Sequence, residues 1–168
     1  QFVNIRVFAY IRHMKFNISN IFICLLLLST SFNAQEVSTY NGRFLTQSGE
    51  YLEGSFETFY SSGSIFESFQ INNGKEHGDY ISHYENGNKM EKGFYNYGLK
   101  FGKWKKWSSE GVLLSETFYD VNGKKHGSWM IWDNEGHLKA LMVYENGKRV
   151  GSWKTWGSDG QIAQTINY

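Results

Sequence analysis

Proline is absent from the chain, and cysteine occurs once, at Cys24. The first absence leaves no proline-rich linker to divide the chain. The second excludes a disulfide framework. Extracytoplasmic proteins may form disulfides but do not require them, so an exported setting stays open. A charge of one sign is also missing, since 17 basic residues stand against 16 acidic ones for a net of +1. Nucleic-acid binders normally carry a strong basic excess, so nucleic acid is not the expected partner. No apolar run reaches the roughly 20 residues of a membrane span. The run at residues 21–28, I-F-I-C-L-L-L-L, stops at eight. No window holds a sustained helical period, no serine sits in a G-x-S-x-G elbow, and no G-x-x-x-x-G-K-[ST] phosphate loop occurs.

The short apolar run has a context of its own. Met14 and Lys15 precede it, and small and polar residues follow at 29–34. A basic start, an apolar stretch and a small-residue cleavage site make an export signal. Cuts after Ser31 and after Ala34 both fit, and the reading taken is cleavage near Ala34. Residues 1–13 precede the first methionine and read as upstream sequence outside the fold. Residues 1–34 hold Arg6, Arg12 and Lys15 and no acid, so the remainder carries 14 basic and 16 acidic side chains. Its roughly 134 residues suit one domain.

Glycine and aromatics, by contrast, are plentiful: 18 Gly, 13 Phe, 11 Tyr and 6 Trp. They fall in a fixed frame. Residues 127–136 read G-S-W-M-I-W-D-N-E-G, residues 151–160 read G-S-W-K-T-W-G-S-D-G, and residues 102–111 read G-K-W-K-K-W-S-S-E-G. Looser copies stand at 78–87 and 54–63. The opening glycines Gly54, Gly78, Gly102, Gly127 and Gly151 are spaced by 24, 24, 25 and 24 residues. Such a period marks a repeat architecture.

Each unit contains an aromatic pair, a first turn ending in S-S-G, E-N-G or similar, a mixed strand, and a second turn such as N-N-G-K-E-H-G at 72–78. Between turns run six to nine residues rich in strand formers. The expected fold is therefore all-β: an antiparallel meander of about five hairpins of 24 residues, forming a single elongated twisted sheet over residues 54–168. An isolated hairpin is marginal, so neighbouring units must hold one another through their aromatic rungs. Leu114, Phe118, Met142 and Tyr144 can fill the spaces between those rungs. Residues 35–53 read as a half-unit capping the array, with strands at 37–40 and 43–46 joined at Asn41 and Gly42. Two tryptophans three apart would face opposite sides of a regular strand, unless a bulge re-aims one. His83 takes the second aromatic slot of its unit, with Tyr84 beside it, which suggests a local bulge there.

The frame N-G-K-x-x-G-x-W-x-x-W resembles the variant MORN repeat found in many bacterial proteins. Asn122-Gly123-Lys124-Lys125-His126-Gly127-Ser128-Trp129 with Trp132 carries the resemblance. Asn146-Gly147-Lys148-Arg149-Val150-Gly151-Ser152-Trp153 with Trp156 repeats it, and Asn73 to Tyr80 follows with Tyr for Trp. The resemblance implies a β-hairpin sheet used as a scaffold or interaction surface. Proteins similar to these are often labelled antitoxins, and MORN repeats are associated with membrane lipid binding.

No catalytic, metal or cofactor residue is singled out. His77 and His126 hold one repeat position but lie two units apart, roughly 19 Å in such a sheet, too far to share a metal. The acids Glu85, Glu110, Glu135 and Asp159 recur at turns and form no acid–base couple. Two surfaces are candidates for binding. One is an aromatic face formed by Tyr80, Tyr84, Trp104, Trp107, Trp129, Trp132, Trp153 and Trp156. The other is a basic rim formed by Lys75, Lys100, Lys124, Lys125, Lys148 and Arg149. If Trp129 is core, its truncation to Ala costs about 3–5 kcal/mol. The expectation is a non-catalytic exported scaffold whose aromatic face binds a protein or cell-envelope partner. Alternatives are an antitoxin or immunity-type protein, and a peripheral binder of anionic lipid through the lysine rim.

Overall fold

The structure, a computed structural model, describes residues 38–46 and 48–168. The segment 1–13 expected to lie upstream of the fold, the expected export signal 14–34 and the first residues of the expected cap lie outside the described residues. The described residues form thirteen strands and no helix. They are β1 (Ser38–Tyr40), β2 (Arg43–Leu45), β3 (Gly54–Phe59), β4 (Ile65–Asn72), β5 (Lys75–His83), β6 (Lys89–Asn96) and β7 (Leu99–Trp107). Then follow β8 (Leu113–Tyr119), β9 (Gly127–Trp132), β10 (Leu138–Glu145), β11 (Lys148–Arg149), β12 (Ser152–Trp156) and β13 (Ile162–Asn167). From β3 onward they make one open antiparallel sheet in which each strand lies beside its sequence neighbour. Strands β11 and β12 are two parts of one return past β10, interrupted at Val150 and Gly151. This is the expected meander of hairpin repeats.

The two kinds of turn are built differently. At the second turn, Asn73 with Gly74, Tyr97 with Gly98, and Asn146 with Gly147 take positive φ in succession. That is the two-residue turn whose twist matches a hairpin. At the first turn only the glycine is left-handed, and the residue three before it accepts that glycine's N–H, as in Gly87 N–H to the Tyr84 carbonyl at 2.9 Å. The single 25-residue step comes from one exchange between these types. Residues 120–124 bear an extra residue and adopt the first-turn pattern at a second-turn place, with Gly123 N–H bonded to the Asp120 carbonyl and Asp120 Oδ1 accepting from the Asn122 and Lys124 amides.

Bulges recur with the repeat. Near the first turn each returning strand carries one extra residue: Phe66, Met90, Leu114, Lys139 and Ala163. The irregularity expected beside His83 is thus a property of every unit. Near the second turn the bulge falls on the outgoing strand, where three residues around Gly78 or Gly102 oppose a single residue of the partner. The opening glycines Gly78 and Gly102 are therefore bulge residues inside the sheet edge rather than part of the tight turn. Gly102, at φ +67, shows why the frame keeps glycine there.

Neighbouring repeats are stitched at both rims. Gly74, Gly98 and Gly147 donate their amides to the carbonyls of Leu52, Glu76 and Lys125, each 22 residues earlier. At the opposite rim Tyr60 Oη donates to the His83 carbonyl and Tyr84 Oη to the Trp107 carbonyl. The β1–β2 hairpin turns at Asn41 and Gly42, both at positive φ, and lies against the first repeat. There Phe44 N–H donates to the Gly74 carbonyl, and Phe44 and Phe69 pack on the buried cluster Leu52, Phe56 and Ile71.

Candidate aromatic and basic binding face

Alternation along the strands sorts the candidate rings. Lys106 lies opposite Glu91, and Glu91 pairs with Lys100 over the Trp104 ring. Glu116 lies on the other side, paired with Lys103 and Lys105 at 2.8 and 3.2 Å. Tyr80, Trp104, Trp129 and Trp153 thus share one face. Trp107, Trp132 and Trp156 fall on the opposite face by the same alternation and are half-buried. Tyr84 belongs to the first-turn rim through its bond to Trp107. The eight aromatic candidates therefore do not make one surface; four of them do.

Those four are joined by rings that the sequence reading did not place among the site residues. Tyr95, Tyr119, Tyr144 and Tyr168 stand on the intervening strands, and their spacing of 24, 25 and 24 was there to be read. Across the sheet, Tyr80 meets Tyr95 at 5.5 Å and Trp104 at 5.5 Å, and Tyr95 meets Trp104 at 4.9 Å. Farther on, Tyr119–Trp129, Trp129–Tyr144, Tyr144–Trp153 and Trp153–Tyr168 follow at 5.2, 5.3, 5.0 and 4.9 Å. Of the expected gap-fillers, Tyr144 does sit between two rungs, and Met142 lies opposite Trp129. Phe118 is on the other face, 6.2 Å from His126, and Leu114 is a bulge residue.

Tryptophan, rather than another large ring, is explained by its N–H. Trp104, Trp129 and Trp153 donate Nε1–H to the carbonyls of Phe94, Phe118 and Val143 at 3.2, 3.0 and 2.9 Å. The Phe118 and Val143 carbonyls also accept the amides of His126 and Val150. The two-residue bulge brings both donors to one oxygen, and a carbonyl has two lone pairs to accept them. Each indole leans over the preceding strand, so the side chain beneath it differs along the row: Gly93 under Trp104, then Thr117 and Met142 at the equivalent places. Trp104 sinks to 1 % exposure, whereas Trp129 and Trp153 are only partly buried.

The six basic candidates divide as well. Lys100 Nζ lies 3.8 Å above Trp104 and 5.9 Å from Tyr119. Lys125 lies 4.4 Å from Trp129 and 5.0 Å from Tyr144. Arg149 lies 4.8 Å from Trp153 and 5.4 Å from Tyr168, whose Oη accepts its Nη1–H at 2.9 Å. These three are cations over ring faces, an arrangement favoured by the ring quadrupole. Lys75 and Lys124 instead lay their stems beside the turn glycines of the next repeat, Gly98 and Gly147. Lys148 opens β11 and is exposed. Half of the rim thus belongs to the aromatic face.

Toward β3 the same face is acidic. Tyr80 Oη donates to Glu67 Oε2 at 3.0 Å, and burial, with the Glu67 and Glu91 charges behind it, pushes the Tyr80 phenol far up. Burial, followed by Glu76, Glu91 and Glu67, pushes Tyr95 up to about 12, and Tyr119 is raised by burial and then by Glu91. A phenol held neutral in the fold contributes stability that is complete below its ordinary value of 10.0 and lost as pH rises through its folded value. Alkaline titration should therefore leave Tyr95 protonated until well above 10.0 and unfold the sheet cooperatively as the pH approaches and passes about 12. Phenolate absorbance and far-ultraviolet circular dichroism should move together. Phenolate forming in full on an intact sheet would refute the assignment.

The histidines sit where the repeat places them. His77 packs on Tyr97 at 4.3 Å and Phe94 at 5.8 Å. Among the described residues no group of three His, Cys, Asp or Glu side chains is close enough to hold a metal ion.

The family described as MORN repeat variant matches residues 76–97. The chain thus contains a MORN repeat. The match covers most of β5, the first turn and β6, and the same hairpin and first-turn bulge recur in phase along the sheet. No curated protein matches the chain. A MORN repeat suggests a repeat scaffold for protein or membrane binding, and the aromatic row with its cations is the feature of this sheet that such a role would use.

Proposed function

We propose that this protein is a non-catalytic, exported scaffold that binds a protein or cell-envelope partner through the face bearing Trp104, Trp129 and Trp153. The observation that carries the reading is the continuous ring-and-cation row on an open single-layer sheet, in which Trp129 and Trp153 are only partly buried and Lys125 and Arg149 are exposed. Trp, Tyr and Arg are the side chains most often found as binding anchors. Export rests on the signal-like residues 14–34. An antitoxin-type role would use the same face, with a toxin as the partner.

The reading predicts that Trp129→Ser with Trp153→Ser, which retains the sheet by circular dichroism, loses a partner that the wild-type chain captures from the extracytoplasmic fraction of its own cells. Equal capture by both chains would overturn the choice of face. So would loss of capture only in Trp132→Ser with Trp156→Ser, which alters the other side. N-terminal mass spectrometry of the recovered chain checks export: a mature terminus near residue 35 is expected, and an uncut terminus in the cytosol contradicts it.

A further inference from the structure

The ring-bound cations are not equivalent in one respect. Lys100 has a carboxylate: Glu91 Oε1 accepts from its Nζ at 2.7 Å, from the neighbouring strand. The repeat carries the cation forward to Lys125 and Arg149, but it does not carry the acid. The positions equivalent to Glu91 are Ser115 and Ala140. The register confirms the equivalence, since Glu91 lies opposite Lys106, Ser115 opposite Ile131, and Ala140 opposite Thr155. Among the described residues neither Lys125 nor Arg149 has an acidic partner. A row that pairs its cation once and then repeats the cation twice beside small side chains leaves two places where a carboxylate from elsewhere fits.

We propose that Lys125 and Arg149 are two carboxylate-binding subsites, and that the occupant is an acidic polypeptide segment of a partner protein. The inference rests on the binding face assigned above and gives its partner a chemistry. Lys100 provides the template: the ligand it already holds is a glutamate side chain presented by an extended strand. Each cation is covered on one side by indole and phenol rings, so its remaining N–H groups point to where a charge-assisted bond can form. Arg149 adds a planar fork suited to a carboxylate. The two subsites are one repeat apart, about 10 Å at the usual strand spacing, so a segment with two or more acids can occupy both. The acids of this face, Glu67, Glu76 and Glu91, lie on β4, β5 and β6, and would steer such a segment toward the C-terminal end.

The test titrates the full chain with poly-L-glutamate, followed by tryptophan fluorescence at low and high salt. Wild type should bind, and binding should fade with salt. Lys125→Gln with Arg149→Gln should weaken it by roughly tenfold or more, the worth of a lost charged hydrogen bond. Ser115→Glu with Ala140→Glu should weaken it comparably, although it retains every ring and cation, because the chain then supplies its own carboxylates as it does at Lys100. Wild-type affinity in either double variant would overturn the proposal. Tighter binding to polyphosphate or to phosphatidylserine vesicles at equal charge, with the same response to both variants, would overturn the choice of a peptide. Native-partner capture that Trp129→Ser with Trp153→Ser abolishes but Ser115→Glu with Ala140→Glu spares would sink the carboxylate subsites and leave the face standing. Capture insensitive to the tryptophans would sink the face itself.

Discussion

Trp104→Ala should lower the unfolding free energy by about 3–5 kcal/mol, a large share of the roughly 5–15 kcal/mol that holds most domains folded. Trp104 is the most buried ring of the row, at 1 % exposure. Its indole touches Tyr80 and Tyr95, receives Lys100 on its face, and bonds the Phe94 carbonyl. Truncation removes the packing and one hydrogen bond, and leaves a cavity beside Gly93. Trp104→Phe retains one aromatic ring and loses the Nε1 donor with the second ring of the indole. It should cost clearly less than Trp104→Ala. Urea unfolding followed by circular dichroism measures both. The sequence-based expectation tied this cost to Trp129 on the condition that its ring is core; Trp129 is only partly buried, so the full figure belongs to Trp104. Equal losses at Trp104 and Trp153 would contradict the graded burial of the row.

Gly93→Ala is the second large effect. Gly93 is buried, and a Cβ built there would run into the Cδ2, Cε2 and Cε3 atoms of Trp104. Its φ is not in the left-handed region, so the backbone does not demand glycine. The close approach of the ring does. Overpacking of this kind costs typically about 1–3 kcal/mol and more when a large side chain must leave its place. A single methyl group should thus approach the damage of removing the indole. The decisive measurement is the double variant. In a Trp104→Ala background the methyl group has nothing to strike, so Gly93→Ala should become nearly neutral, and the coupling should account for most of its cost. Additive losses would show that glycine is needed there for some other reason.

The period of the glycines and tryptophans made the hairpin repeat legible, because turns demand particular residues and a fixed step demands a fixed unit. The turn at Asn41 and Gly42 was legible for the same reason. Faces were harder to read. Trp104 and Trp107 look like a matched pair in one dimension, yet the outgoing strand alternates regularly between them and sends them to opposite sides. The bulge that might have re-aimed one lies on the partner strand, at Leu114. Of the tyrosines of the row only Tyr144 is expected from the sequence, as a filler between rungs; Tyr95, Tyr119 and Tyr168 keep the same period but stand outside the glycine and tryptophan frame. The basic residues could have been sorted from spacing: Lys75 is the first residue after its turn glycine and Lys100 the second, so alternation sends them to opposite faces and only Lys100, with Lys125 and Arg149, reaches a ring.

The stitched rims bear on how the chain reaches this fold. Each strand of the meander pairs with its sequence neighbours, and the bonds between repeats span only 21 to 23 residues. Sheets commonly fold slowly because distant segments must find one another before any pairing is rewarded. Here no strand has to wait for a distant one. Contact order is low for an all-β chain, and a hairpin formed anywhere in the row can serve as the template on which the next is laid down. Such a sheet can be assembled in the direction in which it leaves a ribosome or a translocation channel.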